Sequence, residues 1–192
     1  MTALKQAVSW ALALNLLYFA LEFTVARRIA SVLLFADSID FLEDASVNGL
    51  ILVALPWSAR RRGTIGILLA AILLVPALAT AWTAWAKFAS PVPPAPLPLT
   101  LTGLGALAVN LTCALILARV RHAGGSLSRA AFLSARNDVV ANIAIIAAGA
   151  LTLLWPSAWP DLVVGLGIFV LNLDAAREVY VAARGEQRTV DV

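Results

Sequence analysis

Apolar residues in this chain gather into six blocks of about 20 or more that nearly touch, and this arrangement decides the class of fold before any single residue is weighed. About 20 apolar residues in helical form cross a hydrocarbon layer of roughly 30 Å. The blocks run from 7 to 26, 31 to 57, 64 to 86, 98 to 118, 130 to 155 and 161 to 182. With 61% hydrophobic and 13% charged residues, too little polar sequence is left to cover a soluble domain. The predicted fold class is therefore all-α: a polytopic membrane protein whose six transmembrane helices occupy residues 1–182, followed by a short cytoplasmic tail at 183–192. The first block is read as a retained helix and not a signal peptide, because it is long and no small-residue cleavage site follows it.

The connections assign the sides. Lys5, Arg60, Arg61, Arg62, Arg119, Arg121, Arg129, Arg177, Arg184 and Arg188 fall on the side that holds both termini, against Arg27, Arg28 and Lys87 on the other. The positive-inside bias then predicts both termini in the cytoplasm. The run from Ser90 to Pro98 is expected to be a non-helical outward linker, since prolines lack amide donors and bias their predecessors toward extended backbone. A second outward turn, Trp155 to Asp161, pairs interfacial tryptophans with prolines that end one helix and begin the next. The net charge of +3 does not indicate nucleic acid, because the basic residues sit singly or in threes between apolar blocks. One cysteine, Cys113, inside an apolar block leaves no disulfide framework and no thiolate metal cage. Scattered glycines, among them Gly63, Gly66, Gly103, Gly105, Gly149, Gly165 and Gly167, read as small residues that allow helices to approach closely.

Ionisable residues inside a bilayer are costly and so mark candidate sites. The second block carries Asp37, Asp40, Glu43 and Asp44. Positions 37, 40, 44 and 48 are three or four apart, so Asp37, Asp40, Asp44 and Asn48 form a stripe on one helical face. Carboxylates stacked in this way repel unless a metal, a proton or an arginine lies among them. The fifth block adds Ser134, Asn137, Asp138 and Asn142, with 134, 138 and 142 on one face. The alternative is that Asp138 and one of the second-block acids form structural bridges with Arg136 or Arg28. Asn15, Tyr18 and Glu22 share a face of the first helix and, like Asn110 of the fourth, read first as interhelical hydrogen bonding. Asp174, Arg177 and Glu178 suit a local bridge, and His122 suits a solvated loop.

These residues resemble the transmembrane portion of the cation diffusion facilitator family, exchangers of divalent metal ions for protons. The stretch from Asn15 to Asp44 is similar to the family's first-helix asparagine and glutamate, followed by its acidic second-helix motif, onto which Asp40 and Asp44 fall. The stretch from Arg129 to Ile146 resembles the fifth-helix motif HxxxD, with Asp138 on its aspartate and Ser134 where the histidine normally stands. Trp159, Pro160, Asp161 and Leu162 resemble the family's start of helix six, and the likeness runs over about residues 12 to 182. It implies metal ligands Asp40, Asp44, Ser134 and Asp138, with Asp37, Asn137 or a water as accessory candidates for the fourth position.

Replacing a histidine by a hydroxyl hardens such a site and loosens a preference for zinc toward iron, manganese or cobalt. The resemblance further implies alternating access, exchange of metal for protons, a homodimer held by membrane helices and, in a bacterial-style cell, an inner-membrane location. It also implies a short form without the family's cytoplasmic C-terminal domain. No cofactor is expected beyond the transported ion, with zinc the leading candidate, and its protons; the partners are that ion and the lipid bilayer, and nucleic acid is not among them. The competing reading is a non-transporting membrane protein, or a channel-like pore, whose buried acids are structural. An enzyme is not expected, since no nucleophile-base pair, HExxH or phosphate-cradling loop is present.

Overall fold

The computed structural model describes residues 2–54, 78, 80–120 and 125–170. Within them lie six helices and no strands: α1 (Thr2–Ile29), α2 (Val32–Ala54), α3 (residues 80–89), α4 (Pro96–Ala118), α5 (Gly125–Leu154) and α6 (Trp159–Val170). Three of them, over Ala3–Ile29, Pro96–Ala118 and Ala135–Leu154, are long and apolar enough to cross a membrane. Most of the third predicted block, the end of the sixth and the tail lie outside the described residues, as do His122, Asp174, Arg177 and Glu178.

α1 is longer than its apolar block at both ends, running through Lys5, Arg27 and Arg28. Helix propagation needs only backbone hydrogen bonds, and long basic side chains reach water beyond the apolar segment. One sequence expectation is corrected. Pro96, Leu97 and Pro98 are not linker but the first turn of α4, capped by Ala95 in extended backbone. A proline at the start of a helix lacks only an amide that would have had no intrahelical partner, so the rule that excludes proline from helix interiors does not apply there.

The exterior is apolar, with Trp10 64% and Leu17 72% exposed, and Trp82, Val140, Leu153 and Val170 also outward. This inverts the distribution of a soluble protein and matches a surface solvated by lipid. Inside, α1 packs along α2 and α4 along α5, while α2 and α5 meet over a shorter stretch. Two apolar clusters fill the ends of the bundle. One joins Leu4, Val8 and Ala11 to Ile51, Leu117 and Ala135; the other joins Ala26, Leu33, Leu34 and Ile39 to Leu99, Ile145 and Ile168. Between them lies a layer of buried polar side chains from α1, α2, α4 and α5.

Close approach at two glycines sets this packing. A Cβ on Gly105 of α4 would collide with the Tyr18 hydroxyl, which donates to the carbonyl of Thr102 (2.6 Å). A Cβ on Gly165 of α6 would lie 2.8 Å from the Leu33 amide nitrogen and 2.9 Å from the Leu33 Cα, so α6 rests directly on the backbone of α2. Gly167, by contrast, faces open space.

Candidate metal centre

α2 is the central element: every residue from Ser31 to Phe41 is buried. Its acids begin five residues after Val32, so Asp37, Asp40 and Asp44 span about 7 to 18 Å along a helix about 35 Å long. Asp37, Asp40, Asp44 and Asn48 are all buried, as the 37, 40, 44, 48 stripe predicts, and Glu43 is half-buried. Asn48 donates back to the Asp44 carbonyl (2.7 Å).

On α5 the inward seam runs through Ala135, Asn142, Ile145, Ala148 and Thr152, at helical three- and four-residue spacing. Asp138 lies on this seam, half-buried, near enough to Asp40 and Asp44 for their charges to act on one another. Ser134 stands one turn before it in α5, and its side chain is outside the described ones. Asn137 is off the seam: it is exposed, and its side-chain oxygen accepts from Arg136 (3.4 Å). The Arg136 guanidinium is turned to the exterior with it. Among the described residues, no three histidine, cysteine, aspartate or glutamate side chains converge on one point as a metal site would need.

Asp37 belongs to a hydrogen-bonded chain across the bundle. Asn110 of α4 donates to the Asn142 side-chain oxygen (3.2 Å), and the Asn142 amide in turn donates to both oxygens of Asp37 (3.1 and 3.2 Å). On the other side of Asp37 stands Glu22 of α1, fully buried, with no donor to either carboxyl oxygen. Two carboxyl groups face to face out of water are compatible only with a proton or a cation between them. Asn15 lies beyond, its oxygen 3.6 Å from the Cys113 thiol. Sequence spacing suggests Asn15, Glu22 and Asn110 as helix-to-helix contacts; the structure adds that Asn110 reaches Asp37 through Asn142.

The arrangement is therefore a layer of acids and amides in the middle of an apolar-walled bundle, able to take up cations or protons. The family profile described as the cation efflux transmembrane domain matches residues 8–184. The chain belongs to the cation efflux, or cation diffusion facilitator, family. No curated protein matches alongside it. As a cation efflux protein it is a multi-pass membrane protein that carries divalent cations, and its family comprises transporters and not enzymes.

Sequence reasoning missed one feature of this cation efflux protein. The sequence marks Lys87 as a topology signal and Asp161 as part of an outward turn and of the stretch that resembles the start of helix six, yet they form a buried ion pair at 2.7 Å, their side chains 5% and 0% exposed. A lysine just before a proline-rich linker and an aspartate at the head of a helix were the available signals, but nothing in the spacing of residues 87 and 161 says that they meet.

Proposed function

We propose that this cation efflux protein exports a divalent metal ion, zinc or one of similar chemistry, from the cytoplasm in exchange for protons. The ligands are Asp40 and Asp44 of α2 with Asp138 of α5, and the Ser134 hydroxyl or an accessory oxygen completes the set. The observation that supports this is the position of these carboxylates on the inward faces of two helices, between two apolar clusters, where ionisable groups are costly and mark functional sites. Carboxylates bind metal only when deprotonated, so metal entering releases protons and protons entering release metal. Rocking of the bundle about this layer would expose it to one side at a time, in a homodimer joined through membrane helices.

Metal uptake into proteoliposomes tests the reading, with zinc, cadmium, iron, manganese and cobalt compared with and without a pH gradient. Saturable flux that follows the gradient and disappears in Asp40→Ala and Asp138→Ala is expected. A second reading, in which the acids only hold helices together, draws on the double hydrogen bond from Asn142 to Asp37 and on the lack of three converging donors among the described residues. It predicts that both alanine variants transport as the parent does.

A further inference from the structure

Glu22 of α1 is fully buried, and neither of its carboxyl oxygens has a donor. A buried ionisable group without a partner is costly and marks a functional site. Its place is fixed by the antiparallel register of α1 and α2. The rings of Tyr18 and Phe41 lie 4.9 Å apart and those of Phe23 and Phe35 5.4 Å apart, and between these two pairs the Glu22 carboxyl meets that of Asp37. Tyr18 does not supply the missing donor, because its hydroxyl is given to the Thr102 carbonyl (2.6 Å).

Nor does a positive charge. Of the basic side chains described, Lys5, Arg27, Arg28, Arg119 and Arg136 are exposed, and Lys87 is held by Asp161 (2.7 Å). What the pair does have is Asn142 of α5, whose amide donates to both oxygens of Asp37 (3.1 and 3.2 Å) and leaves Glu22 untouched. Asn142 in turn accepts from Asn110 (3.2 Å), whose own buried oxygen has no donor. A side-chain amide turned over about its last torsion exchanges oxygen for nitrogen with little change of shape. Turning both amides keeps the hydrogen bond between Asn110 and Asn142, with the Asn110 oxygen now its acceptor. It also presents an oxygen to Asp37 in place of an amide nitrogen.

We propose that Glu22 and Asp37 form a second cation site, distinct from the ligand set of Asp40, Asp44 and Asp138, that takes a hard divalent ion such as manganese. Two carboxylates and the Asn142 oxygen are hard donors with no nitrogen or sulfur among them, which suits such an ion better than a thiophilic one. A divalent ion between the carboxylates neutralises both and supplies the partner that Glu22 lacks. Asp37 then serves this site and is not an accessory to the set around Asp138. It stands two turns before Asp44, about 10 Å of helix rise, toward the end where α1 passes into α2. An ion leaving the Asp138 layer in that direction meets Glu22 and Asp37 next; this stepping role rests on the transport reading above, and the site itself does not.

Manganese binding to the purified protein in detergent tests the site, the free ion being read by its electron paramagnetic resonance signal. About two ions per chain are expected for the parent, since metal ions in two-metal protein sites stand closer together than this spacing. Glu22→Gln and Asp37→Asn are each expected to lose one of them, and either variant carries the comparison if the other does not fold. Asp138→Ala, in which Glu22 and Asp37 are intact, is expected to keep one ion, and Asp138→Ala/Glu22→Gln to bind none.

Glu22→Gln and Asp37→Asn proteins that bind as much manganese as the parent would overturn the site and mean that the pair holds protons only. An Asp138→Ala protein that binds no manganese would overturn it too, because Glu22 and Asp37 would then hold no ion of their own. A parent that binds manganese through Glu22 but moves no metal into proteoliposomes counts against transport alone. A parent that transports, with no manganese lost in Glu22→Gln, counts against this site alone.

Discussion

Ala30 is the one described non-glycine residue with a positive φ, at 51°, and it stands where α1 must stop and α2 begin. With Ser31 donating back to Ala26, it completes a Schellman-type ending in which glycine is the usual residue. A side chain in the left-handed region costs about 1–2 kcal/mol, and glycine at the same place gives back part of that through its freer unfolded chain. Ala30→Gly is therefore expected to stabilise the protein by about 0.5–1 kcal/mol, seen as a rise of about 2–4 °C per kcal/mol in thermal unfolding. Ser31→Ala should act in the opposite direction. It removes the acceptor for Leu34 and one donor to Asp161, a loss of about 1–2 kcal/mol measurable in the same way. Both residues lie in a turn that hydropathy marks only as a brief polar break.

At the scale of elements, α2 and α5 divide the work. α2 supplies a buried stripe, and α5 brings Asp138 to it on a seam otherwise made of small and apolar residues and Asn142. If these acids bind the cargo, Asp138→Ala reduces flux to background, while Ser134→His keeps transport and shifts selectivity toward zinc by adding a softer nitrogen donor. Flux and competition assays across the metals check both outcomes. The packing of α6 on α2 has its own test. Gly165→Ala places a methyl group against the backbone of Val32 and Leu33, where neither side can give way by changing rotamer, so a loss of about 1–3 kcal/mol in thermal stability is expected. Gly167→Ala, facing open space, serves as the control.

For the whole molecule, the apolar clusters at the ends of the bundle and the polar layer between them make a wall and a waist among the described residues, and on the proposed reading an ion crosses by way of the acids. Because each carboxylate must lose its proton before it takes a metal, apparent metal affinity is expected to fall as pH is lowered and to recover as it is raised. Titration of the purified protein with metal at several pH values reads this directly, and an affinity indifferent to pH would separate cation transport from proton exchange.

An all-helical membrane fold and the face shared by Asp37, Asp40, Asp44 and Asn48 were legible in the order of residues alone. Both follow from local rules, the apolar length of a crossing and the 3.6-residue helical period, and the burial of all four side chains agrees with them. The seam position of Asp138 was legible for the same reason. The beginning of α4 was misjudged because a proline's effect depends on where in a helix it falls, which composition does not reveal. What spacing could not supply were the meetings across the chain: Asn110 with Asn142 and Asp37, Tyr18 with the carbonyl of Thr102, and Lys87 with Asp161 and the first turn of α2. Such contacts are chosen by which helices lie side by side and at what depth. Those are decided by close packing and by the need of buried polar groups for partners, conditions satisfied only when the whole bundle is assembled.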